Sequence, residues 1–263
     1  MKSKNRVFLV GAGPGNPDWL TVKAHRLLQQ ADVVLHDALV SDEILALISP
    51  RATVIDIGKR RGHKLLTQDE INALLVHYGS KVGITIRLKG GDSTIFGRAG
   101  EEIEALREAG IEYEIVPGIT SAIAGAAAAG ISLTDRRLAS SVVFTTGHRG
   151  DDHQGLEWDK LVTSGSTVAI YMPGTDYGRL AAELSGAGLP ASMPCAVVSC
   201  AGRPEQQVLW TTVARLSGHG ALPAPSIVIV GECAAAIPNV TSTAIARIPV
   251  SADQHISAKE KAS

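Results

Sequence analysis

Three short glycine-bearing segments hold the residues best suited to gripping a small ligand. Gly11-Ala-Gly13-Pro14-Gly15 follows one apolar run, Lys89-Gly90-Gly91-Asp92 ends another, and Pro117-Gly118-Ile119-Thr120-Ser121 ends a third. Glycine lets backbone amides and carbonyls approach a ligand with no Cβ in the way. Asp92 can accept from an amine or orient its loop, and Thr120 and Ser121 offer hydroxyls where a helix begins. The first segment, with Asp37 closing the next strand, resembles a dinucleotide fingerprint, in which a pyrophosphate sits on a helix N-terminus and an acid holds a ribose. The detail departs from it. Asn16 stands at the third glycine position, and Pro14 and Pro17 remove donors that a phosphate cradle needs. The loop suits the edge of a cleft for a ligand without phosphates, or a Gly-Pro turn with no ligand.

These segments need a frame. Short β-branched runs at 7–10, 33–35, 54–57, 82–88, 113–116, 142–146, 167–171, 196–199 and 227–230 read as strands, several apolar throughout as strands buried on both faces are. Segments 21–30, 68–78, 99–109, 120–129 and 177–187 read as helices. Thr67 with Glu70 forms a capping-box pattern, and Gly110 and Gly188 stand where helices stop. Alternating strands and helices predict an α/β protein. The break falls at Val116-Pro117-Gly118, giving an α/β domain over 1–117, a second over 118–244 and a flexible tail over 245–263. In open α/β sheets ligands bind beyond the carboxyl ends of strands, which is where all three glycine segments fall.

Composition narrows the function. With Lys+Arg 25 against Asp+Glu 26, the net charge of -1 provides no general field for nucleic acid or an anionic membrane. The three cysteines, Cys195, Cys200 and Cys233, include no C-x-x-C pair, which argues against a disulfide framework and a zinc site. The N-terminal apolar run is too short for a signal peptide, and no stretch has the roughly 20 apolar residues of a membrane span. The expectation is a soluble, cytoplasmic protein with no metal.

The order GAGPGNPDWLT, ADVVLHDALVS, GKRRGH, RLKGGDSTIFGRAGEE, VPGITSA, GISLTDR, TGH and YMP resembles the tetrapyrrole methylase family, the class III S-adenosylmethionine-dependent methyltransferases. VVLHDALVS, GKRRGH and FGRAGEE resemble the branch of it that acts on uroporphyrinogen III. The resemblance implies two α/β domains with the cofactor cleft between them, in a homodimer. It implies C-methylation of uroporphyrinogen III at C2 and C7, giving precorrin-2 via precorrin-1 for sirohaem or cobalamin biosynthesis, with S-adenosylhomocysteine as by-product. No dehydrogenase- or ferrochelatase-like region precedes these motifs, so a stand-alone methylase is expected.

Carried over residue by residue, the motifs place the cofactor against Pro14, Gly90, Gly91, Asp92, Ile95, Thr120, Ser121, Met172 and Ala201. Asp37 matches a proton acceptor, Lys59 a proton donor, and Arg98 a residue that assists proton loss. Arg98, Glu101, Arg136 and Met172 match substrate contacts. The chemistry agrees: an octacarboxylate substrate needs guanidinium and ammonium groups. Lys59 to Lys64, Arg98, Arg136, Arg137, His148 and Arg149 can supply them.

Plainer readings stand beside these. Asp37 could cap the next segment, Lys59 to Lys64 could be a solvated loop, Arg98 with Glu101 a surface pair, and Met172 a core residue. The chain also departs from the family pattern. Ser93-Thr94 replaces Pro-Phe after Asp92, and Ala128, Ser132 and Asp135 replace Tyr, Pro and His; Pro173 replaces a commoner Gly. Two alternatives are a methylase of a later precorrin and a non-catalytic S-adenosylmethionine-binding protein. The latter would have no need of Asp37, Lys59, Arg98 and Glu101 together.

Overall fold

Two β-sheets carry the chain, in a computed structural model that describes residues 5–58, 66–147, 157–162, 165–235 and 245–246. The first sheet contains β1 (Arg6–Gly11), β2 (Val33–His36), β3 (Thr53–Asp56), β4 (Ile84–Lys89) and β5 (Tyr113–Val116), in the order β3-β2-β4-β1-β5. All its pairings are parallel. Helices α1 (Val22–Gln30), α2 (Asp42–Leu45), α3 (Gln68–Lys81) and α4 (Ala99–Glu108) provide the crossovers. Strand alternation in β1 feeds two cores. Phe8 and Val10 pack with Leu27, Leu28 and Ile44 on one face, and Val7 and Leu9 with Leu75 and Leu106 on the other. Central strands covered on both faces read as apolar runs, as β1 does, whereas β4 puts Ile86 and Leu88 on one face and buries Thr85, Arg87 and Lys89 on the other.

The helix signals act as expected. The Thr67 hydroxyl accepts from the Glu70 amide while the Glu70 carboxylate accepts from the Thr67 amide, starting α3. Gly110 follows α4 at φ +67°, in the left-handed region that ends helices.

After α5 (Ser121–Ala128) come β6 (Ser141–Thr146), α6 (Trp158–Leu161), β7 (Ser166–Tyr171), α7 (Tyr177–Gly186), β8 (Pro194–Ser199), β9 (Gln207–Thr212), α8 (Val213–Leu216), β10 (Ser226–Val230) and β11 (Ile245–Ala246). The second sheet runs β11-β9-β8-β10-β7-β6. Only β6 and β7 pair in parallel; the other neighbours are antiparallel. The small residues of α5 let it sit close to this sheet, since a Cβ on Gly125 would come within 2.8 Å of Ile227 Cγ2.

Several features differ from the sequence expectation. Strand β9 was not among the expected strands, and Ile245–Ala246, placed in the expected tail, pairs with it at the sheet edge. The fourth strand begins at Ile84 rather than at 82, because Val82 is still the C-cap of α3.

Candidate active site

The glycine segments after β1, β4 and β5 meet as backbone. Gly13 and Gly91 exchange amide-to-carbonyl bonds of 3.0 and 2.7 Å. A Cβ on Gly11 would lie 2.6 Å from the Gly118 nitrogen, and one on Gly118 would lie 2.3 Å from the Gly91 carbonyl oxygen. Gly11 and Gly118 are therefore glycines of close approach. Gly91 differs: at φ +69°, the place of its missing Cβ faces Thr120 Cα and the nitrogen and Oγ of Ser121 at 3.9 Å.

Asp92 locks this junction. Its Oδ1 accepts from the Thr94 amide at 2.8 Å and the Thr94 hydroxyl at 2.6 Å, and its Oδ2 accepts from the Gly118 amide at 2.9 Å. These bonds are the ones that its loop-orienting role calls for. Ser93, which replaces a proline, is fully buried with no hydrogen-bond partner for its hydroxyl among the described residues.

The second sheet closes on these loops from the other side. Strands β7 and β8 are both antiparallel to β10, so their carboxyl ends lie at one edge. The Tyr171 hydroxyl, at the end of β7, hydrogen-bonds the Thr120 hydroxyl at 2.6 Å and accepts from the Ala122 amide. Burial pushes the Tyr171 phenol above its ordinary pKa, which keeps its proton in place. The Phe96 ring lies 4.9 Å from that of Tyr171. Past the end of β8, Arg203 donates to the carbonyls of Pro14 at 3.0 Å and Leu39 at 2.7 Å.

Backbone strain gathers here. Among the described residues, the non-glycines with positive φ are Phe96, Arg98, Met172 and Cys200, each in a loop just beyond β4, β7 or β8. Each costs on the order of 1–3 kcal/mol and persists only where packing enforces it, a pattern that clusters at ligand clamps. Phe96 and Met172 keep 44% and 48% of their surface exposed beside these loops, unlike core residues. Met172 is thus not the core residue that its apolar strand allowed. It also borders a hollow of about 350 Å³ against α7, which none of the three glycine segments lines.

Asp37 sits just past β2 beside a buried charge cluster. Its Oδ1 accepts from Arg87 Nη2 at 2.6 Å; Arg87 Nε donates to Glu102 Oε1 at 2.9 Å, and Lys89 Nζ donates to the same oxygen at 2.7 Å. Burial by itself would lower the Arg87 pKa, but Asp37 and Glu102 outweigh it and the net direction is upward. Burial, followed by the neighbouring Arg87 charge, lowers that of Lys89. The sequence reading passed over Arg87, Lys89 and Glu102. The available signal was two cations spaced two apart on a strand buried on both faces, which share one face and demand an anion.

Arg98 precedes α4 and grips Glu101 with two bonds of 2.7 Å, both side chains well exposed. The Arg98 hydrogen bond holds the Glu101 carboxyl below its usual range. Arg136 is exposed and, among the described residues, makes no ion pair; its neighbour Asp135 is taken up by Arg137, which holds that carboxyl down at about 2. Gly91, Asp92, Thr120 and Ser121 thus meet directly, Arg203 ties Pro14 to the loop after β8, and Ile95 packs in one apolar cluster with the buried Ala201. Gly90 adjoins Leu39, Met172 lies beside Tyr171 at the end of β7, Asp37 follows β2, and Arg98 and Glu101 lie at the start of α4. No bond ties Arg136 to this group among the described residues. Lys59 and the basic run to Lys64, with His148 and Arg149, lie outside the described residues. Among the described residues no cluster of His, Cys, Asp or Glu has a metal-holding arrangement, and no helix is long and apolar enough to cross a membrane.

A parallel sheet and a mostly antiparallel one, joined through the loops beyond their strand ends, define a class of α/β proteins built on two sheets. The chain belongs to the tetrapyrrole (corrin/porphyrin) methylases, whose family model matches residues 6–217. It is 48% identical over 235 residues to the uroporphyrinogen-III C-methyltransferase of Paracoccus denitrificans, covering 88% of this chain and 82% of that one. It is 45% identical over 229 residues to the siroheme synthase of Methylobacillus flagellatus, covering 86% of this chain but 49% of that protein, so it spans about half the length of such relatives. The native uroporphyrin III C-methyltransferase of Thermus thermophilus superposes with a TM-score of 0.76 at 34% identity, covering 87% of this chain and 98% of that one. A complex of the Thermus enzyme with S-adenosylhomocysteine gives 0.75 at 33% identity, covering 87% and 92%.

Proposed function

We propose that this chain catalyses S-adenosylmethionine-dependent C-methylation of uroporphyrinogen III at C2 and C7, giving precorrin-2 via precorrin-1. The observation that carries the reading is the cradle at Gly91, where a missing Cβ faces Thr120 and Ser121 between loops knit by backbone and tied by Asp92. Such a cradle fits S-adenosylmethionine: it offers backbone donors and acceptors at close range, and prolines where a phosphate would need amides. Pro14, Gly90, Gly91, Ile95, Thr120, Ser121, Met172 and Ala201 would hold the cofactor, with Asp92 fixing the loop.

When bound, S-adenosylmethionine supplies an activated sulfonium methyl, so the electron-rich pyrrole needs no further activation. The chain aligns the macrocycle and takes a proton from it. In this reading Asp37 accepts the proton, Lys59 donates one, and Arg98 grips a substrate carboxylate near the carbon that is methylated. Glu101 pre-orients Arg98, Arg136 offers an exposed guanidinium, and Met172 presents an apolar surface to the ring. The domains would divide as 1–117 and 118–244, with 245–263 as a tail carrying the short edge strand. A homodimer in the cytoplasm completes the reading. Methyl transfer to uroporphyrinogen III, read as product mass, is its test.

A further inference from the structure

The charge cluster beneath Asp37 is built in one direction. Glu102 is fully buried, the Arg87 side chain is 2% exposed, and the Asp37 side chain at the open end is 30% exposed. Each guanidinium nitrogen of Arg87 is committed: Nε to Glu102, Nη1 to the Leu88 carbonyl at 3.2 Å, and Nη2 to Asp37. A guanidinium held at three points cannot turn, so it fixes Asp37 Oδ1 and with it the direction of Oδ2. Lys89 on the same Glu102 oxygen makes the cluster two cations and two carboxylates.

Backbone also packs closely beside Asp37, whose amide donates to the Leu88 carbonyl at 3.3 Å. A Cβ on Gly58 would lie 2.1 Å from the Ala38 nitrogen, and one on Gly90 3.0 Å from Leu39 Cβ. Stability alone gives little reason for such a cluster, because a packed apolar equivalent is often as stable as a buried ion network. Its single half-open end is the carboxylate read above as the proton acceptor.

We infer that Arg87, anchored by Glu102, is a positioning residue that holds the Asp37 carboxylate in the attitude that accepts the proton given up by the methylated macrocycle. The proton passes from the macrocycle to Asp37, and Arg87 keeps its charge throughout. This rests on the reading of Asp37 as that acceptor.

The test is a double-mutant cycle in the full chain with Asp37→Asn, Arg87→Lys and the pair. It measures kcat, KM for uroporphyrinogen III and S-adenosylmethionine affinity. Arg87→Lys keeps the cation but loses the fork. It should lower kcat by roughly 10-fold or more while KM and cofactor affinity stay within about twofold, and add nothing to the loss in Asp37→Asn. A loss that multiplies with that of Asp37→Asn, or an unchanged kcat in Arg87→Lys, overturns the inference and leaves Asp37 as acceptor. An unchanged kcat in Asp37→Asn overturns both. Should Arg87→Lys not fold, Glu102→Gln, which weakens the anchor while keeping its shape, is read in the same cycle with the same outcomes.

Discussion

Arg203 and Pro14 are joined across 189 positions of sequence: the Arg203 Nε donates to the Pro14 carbonyl at 3.0 Å. The same guanidinium reaches the Leu39 carbonyl, so one side chain from beyond β8 holds the loops after β1 and β2. It lies so close over Gly15 that a Cβ there would come within 2.5 Å of Nε. Arg203 is thus a latch between the two sheets.

Removing the latch should loosen the cofactor loop. Arg203→Ala loses two charge-assisted bonds, worth about 2 kcal/mol together at a partly exposed site. We expect S-adenosylmethionine affinity to fall roughly 10-fold, with Arg203→Lys intermediate because an ammonium lacks the planar fork. Calorimetric titration measures this, and unchanged affinity in Arg203→Ala would remove the latch from the binding account.

The glycines should separate by role. Gly11→Ala drives a Cβ into the backbone of Gly118 and Gly91 at 2.6–2.7 Å, so it should fold poorly or melt far below the parent. Gly91→Ala meets nothing closer than 3.9 Å and bears only the left-handed backbone cost, about 1–2 kcal/mol, so it should fold. Gly91→Val should fold less stably and lose cofactor binding, because its side chain enters the cradle. Thermal melts paired with titrations test both, and a folded Gly91→Val of parental affinity would show that nothing binds there.

How much of this was legible beforehand depends on whether the cause was local. The apolar run of β1, the Thr67–Glu70 box and the glycine segments are local and readable. Strand β9 was not: Val208, Leu209 and Trp210 follow a polar stretch, and the strand is fixed by its pairing with β8 just before it and with β11 further along the chain. Helices α2, α6 and α8 have four residues each, little more than one turn, and show no periodicity. In the site, the loops were visible but their mutual contacts were not. Asp37 could be singled out by resemblance, whereas its partner Arg87 needed the register that sets Leu35 beside Arg87. Asp135, which departs from the family pattern, pairs with Arg137, a contact that its replacement of His does not announce.

Arg98 separates substrate holding from cofactor holding. It occupies a left-handed conformation before α4 and pairs with Glu101 in the open, where the ion pair contributes little stability. Arg98→Ala and Arg98→Lys should bind S-adenosylmethionine almost normally yet lose roughly 10²-fold in methyl transfer, Ala the more. Single-turnover rates measure the loss, and near-parental turnover by Arg98→Ala would reduce the residue to a surface charge.

The central claim is the reaction itself. The purified chain, incubated with uroporphyrinogen III and isotopically labelled S-adenosylmethionine, should release S-adenosylhomocysteine and yield a tetrapyrrole carrying two labelled methyl groups, with a singly methylated species appearing first. The mass of the product, followed over time, reads both. A substrate recovered unmethylated while the folded chain binds S-adenosylmethionine would contradict the account.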